Sequence, residues 1–105
     1  MLGGMSDVTL ASMKHVPAAD LGGPGSPEAE LCSGMAIALL GEAAGEEFRM
    51  TSLSLDVASH AIGEGMVEIA VKVDKRAKSI VFASLEARMW ASLVFSAQGL
   101  FSRER

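Results

Sequence analysis

The sequence predicts an α+β fold, one antiparallel β-sheet wrapped around one long central helix. Three observations predict it. The stretch Ser26 to Gly45 (SPEAELCSGMAIALLGEAAG) is one long apolar helical segment, with no charge between Glu30 and Glu42. From Phe48 onward the hydrophobic period switches to two, the spacing of strands with one apolar face. Short turn-like segments separate the strand-like runs, and such a sheet must cover one face. The helix is the element available to cover it.

The helix carries its own start and stop signals. Ser26 is a favourable N-cap, Pro27 suits the first helical position, and Glu28 and Glu30 put negative charge on the first turn. Its apolar residues Leu31, Cys32, Met35, Ile37, Leu39 and Leu40 spread around the whole circumference, so burial on all sides is expected. Its uncharged run of 11 residues falls well short of the roughly 20 needed to cross a bilayer. Gly34, Ala36, Ala38 and Gly41 leave room for another backbone, and Gly45 ends the segment.

Residues 1–6 read as a flexible start, and Val8 to Val16 as a first strand. Pro17 to Pro27 holds three prolines and three glycines, a loop that delivers the chain to the helix. Thr51, Leu53, Leu55 and Val57 alternate with polar or small residues, as do Val67, Ile69, Val71 and Val73 after a turn over His60 to Gly65. A basic turn, DKRAKS, leads into a long strand from Ile80 to about Met89. Trp90-Ala91-Ser92 reads as the next turn and Leu93 to Phe101 as the last strand, followed by a frayed, charged tail SRER.

A chain of 105 residues reads as a single domain, 1–105. Its core is small, and its hydrophobic share of 50% is at the high end for a soluble domain. Part of that apolar surface is therefore expected in a subunit interface, giving a homodimer or homotetramer. The net charge is −4, with one base against seven acids in residues 1–47 and eight bases against six acids thereafter. No basic face dominates and aromatics are few, so nucleic acid is not an expected partner. Cys32 is the single cysteine, so no disulfide framework is possible within the chain and a reducing compartment fits. The N-terminus lacks a basic region followed by an apolar run, and a cytoplasmic location is expected. His15 and His60 have no partner at metal-ligand spacing, and no metal site is expected.

The segments CSGMAIALLGEAAG, DKRAKSIVFASLEARM and SAQGLF, in this order, resemble the hot-dog fold of acyl-CoA thioesterases. The likeness is to the PaaI-like and 4-hydroxybenzoyl-CoA thioesterase-like branches, over roughly Cys32 to Phe101. The resemblance implies a CoA thioester as ligand, with coenzyme A as part of the substrate and no separate cofactor, bound at a subunit interface. The helix signature is degenerate. Cys32-Ser33 stand where the family has His-Gly, leaving Gly34, and the family's acid aligns with Gly41 while the carboxylate sits at Glu42. One position rotates a helical side chain by about 100°.

By that resemblance Glu42 is the candidate general base or nucleophile, and its alternative role is that of a surface Glu beside Glu46. The backbone N–H groups of Ser33 and Gly34 are candidate oxyanion donors, provided that the regular helix starts near them. Lys75, Arg76 and Lys78 form the local basic cluster where the family meets coenzyme A phosphates, or else a solvated turn. Two functions follow: a thioester hydrolase of the acyl-CoA thioesterase type, or a non-catalytic hot-dog module that binds acyl ligands or assembles.

Overall fold

The computed structural model describes residues 8–103. The flexible start expected over residues 1–6 and the last two residues of the tail lie outside them. In chain order the elements are β1 (Thr9–Pro17), a 3-10 turn (Ala18–Leu21), α1 (Ala29–Ala44), β2 (Phe48–Val57), β3 (Met66–Arg76), β4 (Ile80–Met89) and β5 (Ser92–Arg103). The five strands form one antiparallel sheet in the order β1-β3-β4-β5-β2, with the helix against one face. This is the expected α+β arrangement of a sheet around one helix.

β3, β4 and β5 are sequential neighbours, but β2 pairs with β5 and not with β3. Residues 58–65 therefore carry the chain from one edge of the sheet toward the other. Strand alternation sorts the side chains. Val67, Ile69 and Val71 of β3 and Val81, Ala83, Leu85 and Ala87 of β4 are buried in the cluster that includes Leu40 and Cys32. Glu68, Glu86 and Arg88, on the alternate phase, are exposed. Phe95, Phe101, Leu21 and Leu40 are the largest fully buried side chains, each stabilising the fold by roughly 1.5–3 kcal/mol relative to exposure.

Four sequence expectations change. The helix begins at Ala29 with Glu28 as its N-cap, not at Ser26-Pro27. The Ser26 hydroxyl donates instead to the Ser59 carbonyl at 3.2 Å, and the Glu28 N–H donates to the Leu21 carbonyl at 2.8 Å. Those long-range bonds hold residues 26–28 as incoming loop. Second, α1 is not buried on all sides. Cys32, Ala36, Leu40 and Ala44, every fourth residue, form the buried stripe, while Leu31 and Ile37 are 42% and 49% exposed. One sheet covers one side of a helix, and among the described residues nothing covers the other.

Third, Asp74, Lys75 and Arg76 belong to β3, and the turn expected over DKRAKS contracts to residues 77–79. Fourth, Arg103 is not frayed. It ends β5 with Nη2 2.6 Å from Glu47 Oε1, and Nη1 donates to the Lys78 carbonyl at 3.3 Å. Elsewhere, the loop from Pro17 to Pro27 folds into a 3-10 turn closed by Gly22. Its φ of +106° suits glycine, and a Cβ there would stand 2.7 Å from Glu28 Cγ.

Candidate functional site

The open side of α1 is where the sequence places its candidate site, and the fold gives that side two flanks. Glu42 reaches toward one edge of the sheet, with Oε1 3.7 Å from Nζ of Lys14 on β1. Leu40 points into the sheet, where its Cδ1 lies 3.3 Å from the position a Cβ on Gly99 of β5 would take. Successive residues turn by about 100°, so Gly41 follows Leu40 round onto the flank away from β1, and Glu42 turns on to the outer crest, leaning toward β1. The carboxylate thus stands about 100° round the helix from the position aligned with the family's acid. Gly34 and Gly41 both face open space, with nothing within 4 Å of a Cβ on either.

The donors are fixed by where the helix starts. The Cys32 N–H already donates to the Glu28 carbonyl at 3.0 Å. Ser33 and Gly34 lie beyond it, past the first turn, where helical N–H groups are spent on the carbonyl four residues back. The N–H groups that an α-helix leaves without an internal partner here are those of Ala29, Glu30 and Leu31.

The basic cluster divides in two. Arg76 turns back onto the end of α1, where Nη2 donates to the Ala43 carbonyl at 3.0 Å and Nη1 to the Ala44 carbonyl at 3.2 Å. Its guanidinium also lies 5.9 Å from the centroid of Phe48, and that of Arg103 lies 5.6 Å from the same ring. Both distances are within cation–π range. Arg76 therefore caps the negative end of the helix. Lys75 and Lys78 are exposed beside it.

Two features escaped the sequence reading. Lys14 lies on the same phase of β1 as Val16, which packs on the core, and it meets a carboxylate 28 positions away. Arg103, assigned to the tail, helps to hold Phe48. A hydrophobic period broken by a lysine was the only available sign of the first, and the second had none. Among the described residues no three His, Cys, Asp or Glu side chains gather to hold a metal ion, and no helix is long and apolar enough to cross a membrane. Cys32 is fully buried, and desolvation pushes its thiol above the ordinary value of 9.0.

The sequence matches no protein-family model and no curated protein sequence. Solved structures match its shape throughout. The PaaI protein of the phenylacetic acid degradation operon of E. coli superposes with a TM-score of 0.70 at 14% identity, covering 96% of this chain and 82% of that one. A thioesterase from Haemophilus influenzae gives 0.70 at 10% identity, over 90% and 76% of the two chains. A hypothetical thioesterase from Streptococcus pneumoniae, whose structure is with coenzyme A, gives 0.70 at 10% identity over 93% and 86%. At these identities the likeness establishes the architecture.

Proposed function

We propose that this chain, which has the hot-dog fold, takes a CoA thioester in a groove between two copies of itself, with Lys75 and Lys78 against the phosphates. The observation that carries this reading is the open flank of α1, where Gly34, Ile37 and Gly41 stand uncovered beside edge strand β2.

The two edges of the sheet differ in their suitability for pairing. β1 carries a bulge between Leu10 and Ser12, a lysine on its inner phase at Lys14, and Pro17 at its end. These are devices that discourage edge-to-edge pairing. β2 has a bulge near Thr51, but Ser52–Val57 then runs in regular register with Leu53, Leu55 and Val57 on its apolar phase. No charge or proline guards that phase. The β2 edge accordingly takes the second copy, with a two-fold axis that sets the two α1 helices antiparallel. The basic turn lies at the C-terminal end of α1 and Gly34 nearer its start, roughly 15 Å apart along the axis. The two-fold brings the turn of one copy toward the early half of the partner helix, and an extended ligand spans the distance.

A second reading is hydrolysis, favoured by Glu42, an exposed carboxylate on the open half of α1. Its carboxylate takes a proton from water as the oxygen adds to the thioester carbonyl. The C–S bond then breaks, and the sulfur leaves with the proton returned by Glu42. Against it stand the lean of Glu42 toward β1 and its pairing with Lys14.

Calorimetric binding of coenzyme A and thiol release from short, long and aromatic acyl-CoAs, on one preparation, test both readings. Saturable binding without release is expected for the binding module. Release that Glu42→Gln abolishes establishes the hydrolase. Absence of both binding and release overturns the proposal.

A further inference from the structure

The helix start at Ala29 removes the donors that the family resemblance assigns to Ser33 and Gly34, because their N–H groups close the helix itself. A thioester carbonyl on the open flank therefore needs another donor. Between Glu30 and Glu42 the sequence offers two side chains that can donate, Cys32 and Ser33. Cys32 is fully buried, and its thiol is out of reach. Ser33 is half-buried. A serine inside a helix often turns its hydroxyl back onto the carbonyl four residues earlier. The Ser33 hydroxyl makes no such bond and has no hydrogen-bond partner among the described residues.

Its position fits the groove. Ser33, Ile37 and Gly41 each follow a member of the buried stripe, Cys32, Ala36 and Leu40, by one residue. They therefore run in a line along the flank of α1 away from β1. β2 starts three residues after α1 and packs back along it. Ser33 lies about 16 Å before the helix end, near the height that Leu53 reaches on β2. Leu53 and Leu55 are partly buried against the core. A hydroxyl among Ile37, Leu53 and Leu55 suits a ligand with one polar atom followed by hydrocarbon, and an acyl thioester has that form. Ser33 stands where the resembled family carries glycine, and it brings a hydroxyl that glycine lacks.

We propose that Ser33 orients the thioester in the groove, its hydroxyl donating a hydrogen bond to the carbonyl oxygen. The ligand spans from the basic turn of one copy to the early half of the partner's α1, the half in which this residue lies. Ser33 keeps its proton and forms no bond to carbon. In a binding module the contact fixes the carbonyl and with it the direction of the acyl chain. In hydrolysis the oxygen gains charge as water adds, and the same bond strengthens.

The proposal rests on the groove between two copies, and the test separates the two. Two analogues of octanoyl-CoA that resist hydrolysis are titrated by calorimetry into the wild type and Ser33→Ala. One is a ketone, with a methylene in place of the thioester sulfur; the other is a thioether, with a methylene in place of the carbonyl. The wild type is expected to bind the ketone about 2- to 10-fold more tightly, the worth of one neutral hydrogen bond. Ser33→Ala is expected to lose that preference while its affinity for the thioether stays at the wild-type value. Alanine is the best helix former, so misfolding does not account for such a loss. A wild type without the preference, a variant that retains it, or a variant that binds both analogues more weakly by the same factor overturns the role of Ser33 and leaves the groove standing. Absence of binding by both analogues to the wild type overturns the groove as well.

Discussion

Lys14 Nζ stands 3.7 Å from Glu42 Oε1, joining edge strand β1 to the second half of α1. The pair accounts for both of its members. It puts a charge on the inner phase of an edge strand, and it holds the carboxylate over toward β1. With side chains 41% and 64% exposed, an ion pair of this kind contributes less than about 1 kcal/mol.

Glu42→Gln is therefore expected to leave the thermal midpoint within a few degrees of the wild type. That makes it a clean probe, because any loss of thiol release then belongs to chemistry and not to folding. A drop in release of about 100-fold is the size expected of a lost general base. A large fall in the midpoint would show that the pair holds β1 in place.

Arg76 and its basic neighbours are expected to separate in their effects. Arg76→Ala removes two bonds to the Ala43 and Ala44 carbonyls and one guanidinium from the Phe48 ring, which costs about 1–3 kcal/mol of stability. Lys75→Ala with Lys78→Ala removes no side-chain hydrogen bond or ion pair among the described residues and is expected to weaken coenzyme A binding about 10-fold with little change in stability. Urea titration and calorimetry on the same proteins check both. Equal weakening of binding by Arg76→Ala would make the guanidinium a phosphate contact after all.

What the sequence made legible follows from which contacts are local. The period of two across Val67, Ile69, Val71 and Val73 marks β3 because alternation is a property of neighbouring residues. β4 is found over the expected residues for the same reason, and α1 within three residues of its expected start. Ser26 misled because its best partner, Ser59, lies 33 positions away, and an N-cap signal cannot report a competing acceptor. Arg76 misled similarly, its carbonyl partners being 32 and 33 positions distant. The half-open helix was illegible for another reason. Composition says which side chains prefer burial, while the width of the covering surface decides how many achieve it. For the site, sequence placed the basic residues and Glu42, but the flank that each faces depends on Lys14 and on where α1 begins.

Cys32 is expected to be inert in the folded protein. It is fully buried and its thiol is pushed above 9.0 by desolvation, so thiol reagents at pH 8 should modify it only after unfolding. The sign of the pH effect follows. Well below pH 9.0 the thiol is protonated in both states and contributes no pH dependence. Above it the unfolded chain gives up the proton first, and stability falls until the folded-state thiol ionises too. Urea titrations at pH 7, 8 and 10 should show that loss in the wild type and not in Cys32→Ala. Rapid native labelling at pH 8 would mean that α1 opens readily.

Gly41→Asp places a carboxylate at the position where the resembled family carries its acid. The substitution has room, since nothing lies within 4 Å of a Cβ there. Replacing a helical glycine gains a few tenths of a kcal/mol, and an acid in the last turn gives back a similar amount to the helix dipole. Stability is thus expected to stay level. The new carboxylate faces the β2 flank, where the second copy and the thioester are proposed to lie. Thiol release is expected to rise on the order of 100-fold over the wild type, measured on the acyl-CoA that binds most tightly. If release stays flat while binding persists, the thioester carbonyl does not reach this flank of α1, and the groove lies elsewhere on the dimer.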